Sequence, residues 1–286
     1  MRKVKKWTEE EELYLSENAK NMSAQEIGDV LNRSKISVRH KIKSLGITDT
    51  KYSRMTVRYH YDKDFFKVID SEEKSYWLGF IAADGCIIDK TGAKALKITL
   101  KGEDKGHLEK FKNAIKANVP VREKIAKSNG KEYPSCEIII HSTELCNDII
   151  SYGIGHNKTY AMSLTGINPA MMKHFVRGFV DGDGSLYMSF GRDKRGYERY
   201  RYAVEIVGYK DVVLNELKVY FDSLGIKSSI YAKRKNNDKL MITRREDIVR
   251  FLNAHYFNSK IHLDRKFKKA MFMKELFDAN LPAPSR

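Results

Sequence analysis

Two stretches decide the fold of this chain: Trp77-Leu78-Gly79-Phe80-Ile81-Ala82-Ala83-Asp84-Gly85 and Val176-Arg177-Gly178-Phe179-Val180-Asp181-Gly182-Asp183-Gly184. Each reads as an apolar helix carrying one glycine and ending in an acid followed by glycine, and the two acids, Asp84 and Asp183, stand 99 residues apart. Gly79 and Gly178 occupy matched positions, and a helix face without a Cβ lets a second backbone approach closely. Packing the two helices on each other brings their acidic ends side by side. The glycines that follow the acids, Gly85 and Gly184, are expected to take the left-handed conformation as the chain leaves each helix.

Working outward, the pattern around each motif also repeats. In the first pass a helix near 72–83 precedes strands near 86–90 and 94–101, a helix near 103–117, strands near 121–128 and 135–141, and a helix near 142–152. In the second, a helix near 168–181 precedes strands near 185–191 and 199–208, a helix near 210–224, strands near 228–235 and 239–244, and helices from 245 onward. This is an internal repeat with a period of about one hundred residues. The predicted class is α+β, a duplicated αββαββα unit preceded by a small three-helix domain. The expected domains are 1–47, a linker at 48–71, a first repeat at 72–166 and a second at 167–286.

Two carboxylates at helix C-termini face the negative ends of two helix dipoles and repel each other. A divalent cation relieves the conflict. Mg²⁺ prefers oxygen ligands and keeps several waters, so two carboxylates plus phosphate oxygens suit it, and it can activate water for attack on a phosphodiester.

The two motifs, their spacing and the repeat around them resemble the LAGLIDADG homing endonucleases, in the single-chain form that carries two copies, over roughly residues 72–275. That resemblance implies a pseudo-twofold saddle of strands on double-stranded DNA, a monomer acting as a pseudo-dimer, and cleavage of both strands across the minor groove of a long target. It makes Asp84 and Asp183 the ligands of Mg²⁺ or another divalent cation such as Mn²⁺, with Gly85 and Gly184 counted among the metal-binding positions. It also implies a lysine after the last helix of each repeat that stabilises charge or orders attacking water, for which Lys158, in Gly155-His156-Asn157-Lys158, and Lys260, in Phe257-Asn258-Ser259-Lys260, are the candidates. The first motif departs from the second at Ala82, where the second has Asp181; a local structural difference is expected there rather than inactivity.

Strand alternation supplies candidate DNA-binding residues, since successive side chains face opposite sides of a sheet. Leu96, Ile98 and Leu100 suit a core and leave Lys97, Thr99 and Lys101 outside, with Arg122 and Lys124 on the neighbouring strand. In the second repeat, Tyr187, Ser189, Arg199, Arg201, Tyr231, Lys233, Lys235, Thr243 and Arg245 fall on the polar side. Arginine and lysine attract phosphate or reach guanine edges, and hydroxyl groups help set register.

The first 47 residues read as three short helices. Thr8–Glu11 and Ser23–Glu26 are capping boxes. The third helix follows Ser34, carries Val38, Ile42 and Leu45 on one face, and stops at Gly46. With Trp7, the unit resembles helix-turn-helix and Myb-like folds, which makes Arg39, His40 and Lys43 candidates for the major groove.

The chain of 286 residues carries 53 Lys+Arg against 37 Asp+Glu, a net charge of +16, so an acidic partner such as nucleic acid comes first. No apolar run of membrane-spanning length and no signal-like core is present, so an intracellular, cytoplasmic or nucleoid-associated protein without a membrane partner is expected. Cys86, Cys136 and Cys146 match neither a zinc ribbon nor a disulfide framework and read as reduced. Two other readings stay open beside the nuclease: a DNA-binding regulator without cleavage, and a maturase acting on intron RNA.

Overall fold

The computed structural model describes residues 6–51, 59–90, 92–128, 130–155, 163–192, 196, 198–208, 213–232 and 238–279. The chain divides into two units, 1–60 and 61–286.

The first unit holds helices α1 (Glu9–Asn18), α2 (Ala24–Leu31) and α3 (Lys35–Ser44). Both capping boxes are formed: Thr8 accepts from the Glu11 N–H and Ser23 from the Glu26 N–H, while the two glutamates reach back to the cap backbones. Leu15, Ala19, Ala24, Ile27 and Val38 make the core, with Trp7, Ile42 and Ile47 packed against it. Leu45, expected on the apolar face, is exposed, and Ile47 beyond Gly46 packs in its stead. The turn between α2 and α3 passes through Asn32 in the left-handed region (φ 50°). The Arg33 guanidinium lies 4.2 Å over the Trp7 ring and pairs with Glu11 at 2.6 Å, which ties the turn to α1.

The second unit contains two copies of one pattern. The first runs α4 (Glu72–Asp84), β1 (Gly85–Lys90), β2 (Ala93–Lys101), α5 (Lys105–Ala114), β3 (Arg122–Ser128), β4 (Lys131–His141) and α6 (Thr143–Ser151). The second runs α7 (Met172–Asp183), β5 (Gly184–Arg192), β6 (Glu198–Gly208), α8 (Asn215–Ser223), β7 (Ser229–Tyr231), β8 (Asp238–Ile242) and α9 (Arg245–His255), followed by α10 (Asp264–Asp278). Each copy forms an antiparallel four-stranded sheet, ordered β1-β2-β4-β3 and β5-β6-β8-β7. Within the stretch read as a linker, residues 61–71 lie in the second unit: Phe65 and Phe66 are buried, and the Tyr61 hydroxyl donates to the His141 carbonyl at 2.7 Å.

Apolar alternation on the strands explains the layering. Leu96, Ile98 and Leu100 on β2, Ile138 and Ile140 on β4, and Val204 and Ile206 on β6 are buried under the helices. Trp77, Phe80 and Phe111 form the aromatic core of the first copy, and Phe221 and Phe251 that of the second. Cys136 and Cys146 are buried, and burial pushes the Cys146 thiol up to about 11, a structural and unreactive setting.

Candidate active site at the paired helix ends

Helices α4 and α7 cross backbone to backbone at their glycines. A Cβ added to Gly79 would overlap the Phe175 carbonyl oxygen, and one added to Gly178 would overlap that of Tyr76 and lie 2.8 Å from the Phe80 nitrogen. Both helices run the same way, so their C-termini emerge together. A Cβ on Gly182 would meet the Ala83 Cβ and lie 3.3 Å from the Asp84 Oδ2, so the Asp84 carboxylate rests against the residue that precedes Asp183. Asp84 is half-buried and Asp183 exposed; neither is sealed away from solvent.

Gly85 and Gly184 do not adopt the left-handed conformation expected of them. Both are extended, with φ −75° and −87°, because each helix passes directly into a strand. Their need for glycine is steric: an added Cβ would lie 2.7 Å from the Ile81 carbonyl oxygen at Gly85 and 2.6 Å from that of Val180 at Gly184.

Beneath the acids lies a buried polar brace. Asp181 is fully buried; its Oδ1 accepts from the Tyr256 hydroxyl, and its Oδ2 accepts from the Tyr76 hydroxyl and the Leu263 N–H, all at 2.7 Å. Burial pushes its pKa up, while the charge of Lys266 and these three donors oppose the rise. Since the Tyr76 proton goes to Asp181, the 3.0 Å contact with His107 Nε2 requires that nitrogen to donate. Burial holds His107 down to about 3, so the ring is neutral.

Lys266, only 6% exposed, donates to the carbonyls of Val180 (2.7 Å), Asp181 (2.6 Å), Gly182 (3.1 Å) and Gly184 (2.7 Å). An ammonium at a helix C-terminus opposes the negative dipole end. Burial lowers Lys266 to about 8, and the nearby Asp181, Asp84 and Asp183 charges counter that. Its presence argues against Gly184 as a metal ligand through its carbonyl, because a cation already sits 2.7 Å from that oxygen.

The sequence reading missed Lys266, although a signal was present. Lys266, Ala270, Met273 and Phe277 recur at spacings of four, three and four, which places this lysine on the buried stripe of α10 rather than in a solvated basic run.

Lys260 is not brought to the acids. Its N–H donates to Glu72 Oε1 at 2.8 Å, and Glu72 opens α4 while Asp84 closes it, a rise of about 18 Å along the helix. Lys260 instead lines a cavity of about 480 Å³ with Glu72, Glu73, Lys110 and Asn113. Glu72 also binds the buried Arg177 guanidinium at 2.8 Å, and Arg177 donates to the carbonyls of Ile261 and His255. Lys158 lies outside the described residues, as do Lys233 and Lys235.

Of the proposed strand contacts, Lys97, Thr99, Lys101, Arg122 and Lys124 share one face of the first sheet, as the pairings Thr99↔Glu137, Lys101↔Ser135, Arg122↔Glu137 and Lys124↔Ser135 require. Glu137 lies among them and pairs with Lys124 and, at 3.6 Å, with Lys97. Tyr187, Ser189, Arg201 and Tyr231 share one face of the second sheet with Lys239, which pairs with Glu205; Arg199 stands opposite Gly191 in the same register. Thr243 is exposed just past β8. Arg245 departs from the strand pattern: it opens α9, and its guanidinium engages the Phe277 carbonyl and ring. In the first unit Arg39, His40 and Lys43 are exposed together on α3, while Lys41 turns inward to Glu12.

Among the described residues, no group of three or more His, Cys, Asp or Glu is arranged to hold a metal. Two accessible carboxylates are thus the protein's donor set at the helix ends, which fits a hydrated hard cation completed by phosphate oxygens better than an all-protein cage. Among the same residues, no helix is long and apolar enough to cross a membrane.

Comparison with known proteins agrees with this architecture. Residues 170–260 match the family described as LAGLIDADG-like domain. The LAGLIDADG meganuclease I-AabMI, solved bound to uncleaved DNA, is 14% identical and aligns over 74% of this chain and 91% of its own, with a TM-score of 0.50. I-SmaMI, solved on an uncleaved DNA target with calcium ions, is 14% identical over 74% of this chain and 92% of its own, with a TM-score of 0.49. An uncharacterized protein of Methanocaldococcus jannaschii is 25% identical over 218 residues, 73% of this chain and 71% of its own. The fold is therefore that of the LAGLIDADG endonucleases. In this chain it is built from two motif copies and preceded by a three-helix unit.

Proposed function

We propose that the chain is a site-specific double-strand DNA endonuclease that hydrolyses phosphodiesters at the paired ends of α4 and α7. The observation that carries this reading is the approach of the Asp84 carboxylate to Gly182, the residue before Asp183, at helix ends where neither acid is sealed from solvent. Asp84 and Asp183 would hold Mg²⁺ or Mn²⁺, which when bound supplies an activated water and stabilises the leaving oxygen.

The chain's own residues do the remaining work. The basic sheet faces attract the phosphate backbone and set its register, with Lys97, Lys101, Arg122 and Arg201 as principal cations and Thr99, Ser189 and Tyr187 as hydrogen-bonding partners. The glycine crossing fixes the spacing of the two carboxylates. Arg39, His40 and Lys43 would extend the contact through the first unit, in the manner of a recognition helix. The DNA-bound state of a meganuclease with this fold supports double-stranded DNA as the partner.

The test is a randomised duplex library incubated with Mg²⁺, followed by sequencing of cut ends and then by Asp84→Asn and Asp183→Asn on the recovered target. Each substitution is expected to reduce the rate at least ~10³-fold while DNA affinity stays within about threefold, as loss of a charge that acts on the reacting group requires. Cutting at the wild-type rate by either variant refutes the site.

A further inference from the structure

We propose that Lys266 is a positioning residue for Asp183: its buried ammonium pins the peptide groups on either side of that carboxylate and so fixes the geometry in which Asp183 and Asp84 share a cation. The need arises in the sequence. Asp183 stands between two glycines, Gly182 and Gly184, whereas Asp84 stands between Ala83 and Gly85. Gly182 is imposed by packing, since a Cβ there would run into Ala83 and crowd the Asp84 carboxylate. Gly184 is imposed by the preceding turn, since a Cβ there would lie 2.6 Å from the Val180 carbonyl oxygen. A carboxylate flanked by two glycines sits on the most permissive backbone available.

Lys266 removes that freedom. Its three N–H groups are shared among four carbonyls, two of which belong to Gly182 and Gly184 themselves. Its charge is balanced by Asp181, which the first copy lacks, having Ala82 at the matching position. Asp181 is in turn held by Tyr76, a residue of α4, so the anchor of the second acid is referenced to the helix that carries the first.

This inference relies on the nuclease reading only for its kinetic arm. The double variant Asp181→Ala/Lys266→Met removes both charges and leaves an apolar pair. It is expected to fold with a lowered melting temperature, because the three donors around Asp181 and the four carbonyls around Lys266 lose their partners, to exchange the backbone amides of residues 182–186 about 10-fold faster without metal or DNA, and to lower kcat about 100-fold at unchanged KM. Lys266→Arg keeps the charge, but its planar fork cannot converge on four carbonyls, so it should show the same exchange and kcat losses. Should the double variant not fold, Lys266→Arg decides alone.

Wild-type exchange at 182–186 in a folded variant overturns the proposal, and so does a wild-type kcat. A chain that cuts no DNA defeats the nuclease reading instead, and the exchange measurement still decides the role of Lys266.

Discussion

Replacing Gly178 by alanine tests whether the glycine crossing sets the site. The new Cβ would lie 2.8 Å from the Phe80 nitrogen, 2.9 Å from the Tyr76 carbonyl carbon and closer still to the Tyr76 oxygen. All three are backbone atoms of α4, so no side chain can rotate away. Restoring van der Waals contact means parting the helices by about 1 Å. Overpacking of this kind costs about 3 kcal/mol, and alanine's better helix propensity returns about 1 kcal/mol, leaving a net loss of roughly 2 kcal/mol. The same displacement moves Asp84 away from Asp183, and a misplacement of about 1 Å lowers catalysis on the order of 100-fold. The assays are urea denaturation and single-turnover cleavage. Gly106→Ala is the control: its Cβ would meet nothing within 4 Å, so stability should hold or rise slightly and cutting should persist. A Gly178→Ala protein with the wild-type urea midpoint and cleavage rate would refute the close crossing and its link to the acids.

Glu137 lies among the cations of the first sheet and holds Lys97 and Lys124 in ion pairs; Glu137→Gln should release them, strengthen DNA binding several-fold at ~0.1 M salt and steepen the salt dependence by about one counterion. An unchanged slope in a filter-binding titration would count against the DNA face. His255 is buried, donates Nδ1–H to the Phe251 carbonyl at 2.8 Å, and is held down to about 4 by burial. The unfolded chain takes up this proton near the ordinary histidine pKa while the folded chain does not. Its stabilising contribution is therefore full above about pH 6.5 and falls as pH drops toward 4, by up to about 3 kcal/mol. Urea midpoints measured across that window should decline, and His255→Gln should flatten the decline; equal slopes would contradict the burial argument. Finally, without divalent ions Asp84→Asn/Asp183→Asn should bind duplex DNA several-fold more tightly than wild type, because two carboxylates facing phosphate repel it. Fluorescence anisotropy in a chelator decides, and equal affinities would place the acids away from the backbone.

The parts of this fold legible in the sequence are those encoded locally. The motif helices, their glycines and the strand alternation of Leu96, Ile98 and Leu100 are written within single elements, and the structure keeps them. The Thr8 and Ser23 capping boxes are legible for the same reason. The brace is not, because its bonds join residues far apart: Tyr76 to Asp181, Tyr256 to Asp181 and Lys266 to Gly182 each span 75 residues or more. Lys260 shows the reverse failure. Its place after the last helix echoes Lys158, but the chain between Tyr256 and Leu263 passes the far end of α4 before returning to Asp181, and no periodicity reports that path. At Gly85 and Gly184 it is contact with the preceding helical turn, not conformational freedom, that requires glycine.

On the proposed function, charge placement would separate holding DNA from acting on it. The candidate DNA-binding cations of the strands lie on the sheet faces, where each would meet phosphate in high dielectric and contribute modestly but additively. The helix ends have the opposite sign, since two carboxylates are added there to two negative dipole ends. The buried ammonium of Lys266 beneath them is already matched by Asp181 and faces carbonyls, so it cannot neutralise both Asp84 and Asp183. On the proposed function, a phosphodiester drawn in by the flanking sheets would meet a barrier at the centre that a mobile cation would remove. Affinity and chemistry would then respond to different ions: monovalent salt tunes the first through the sheets, and divalent ions gate the second at Asp84 and Asp183. A protein wired in this way can remain bound and inert on duplex DNA until its metal arrives.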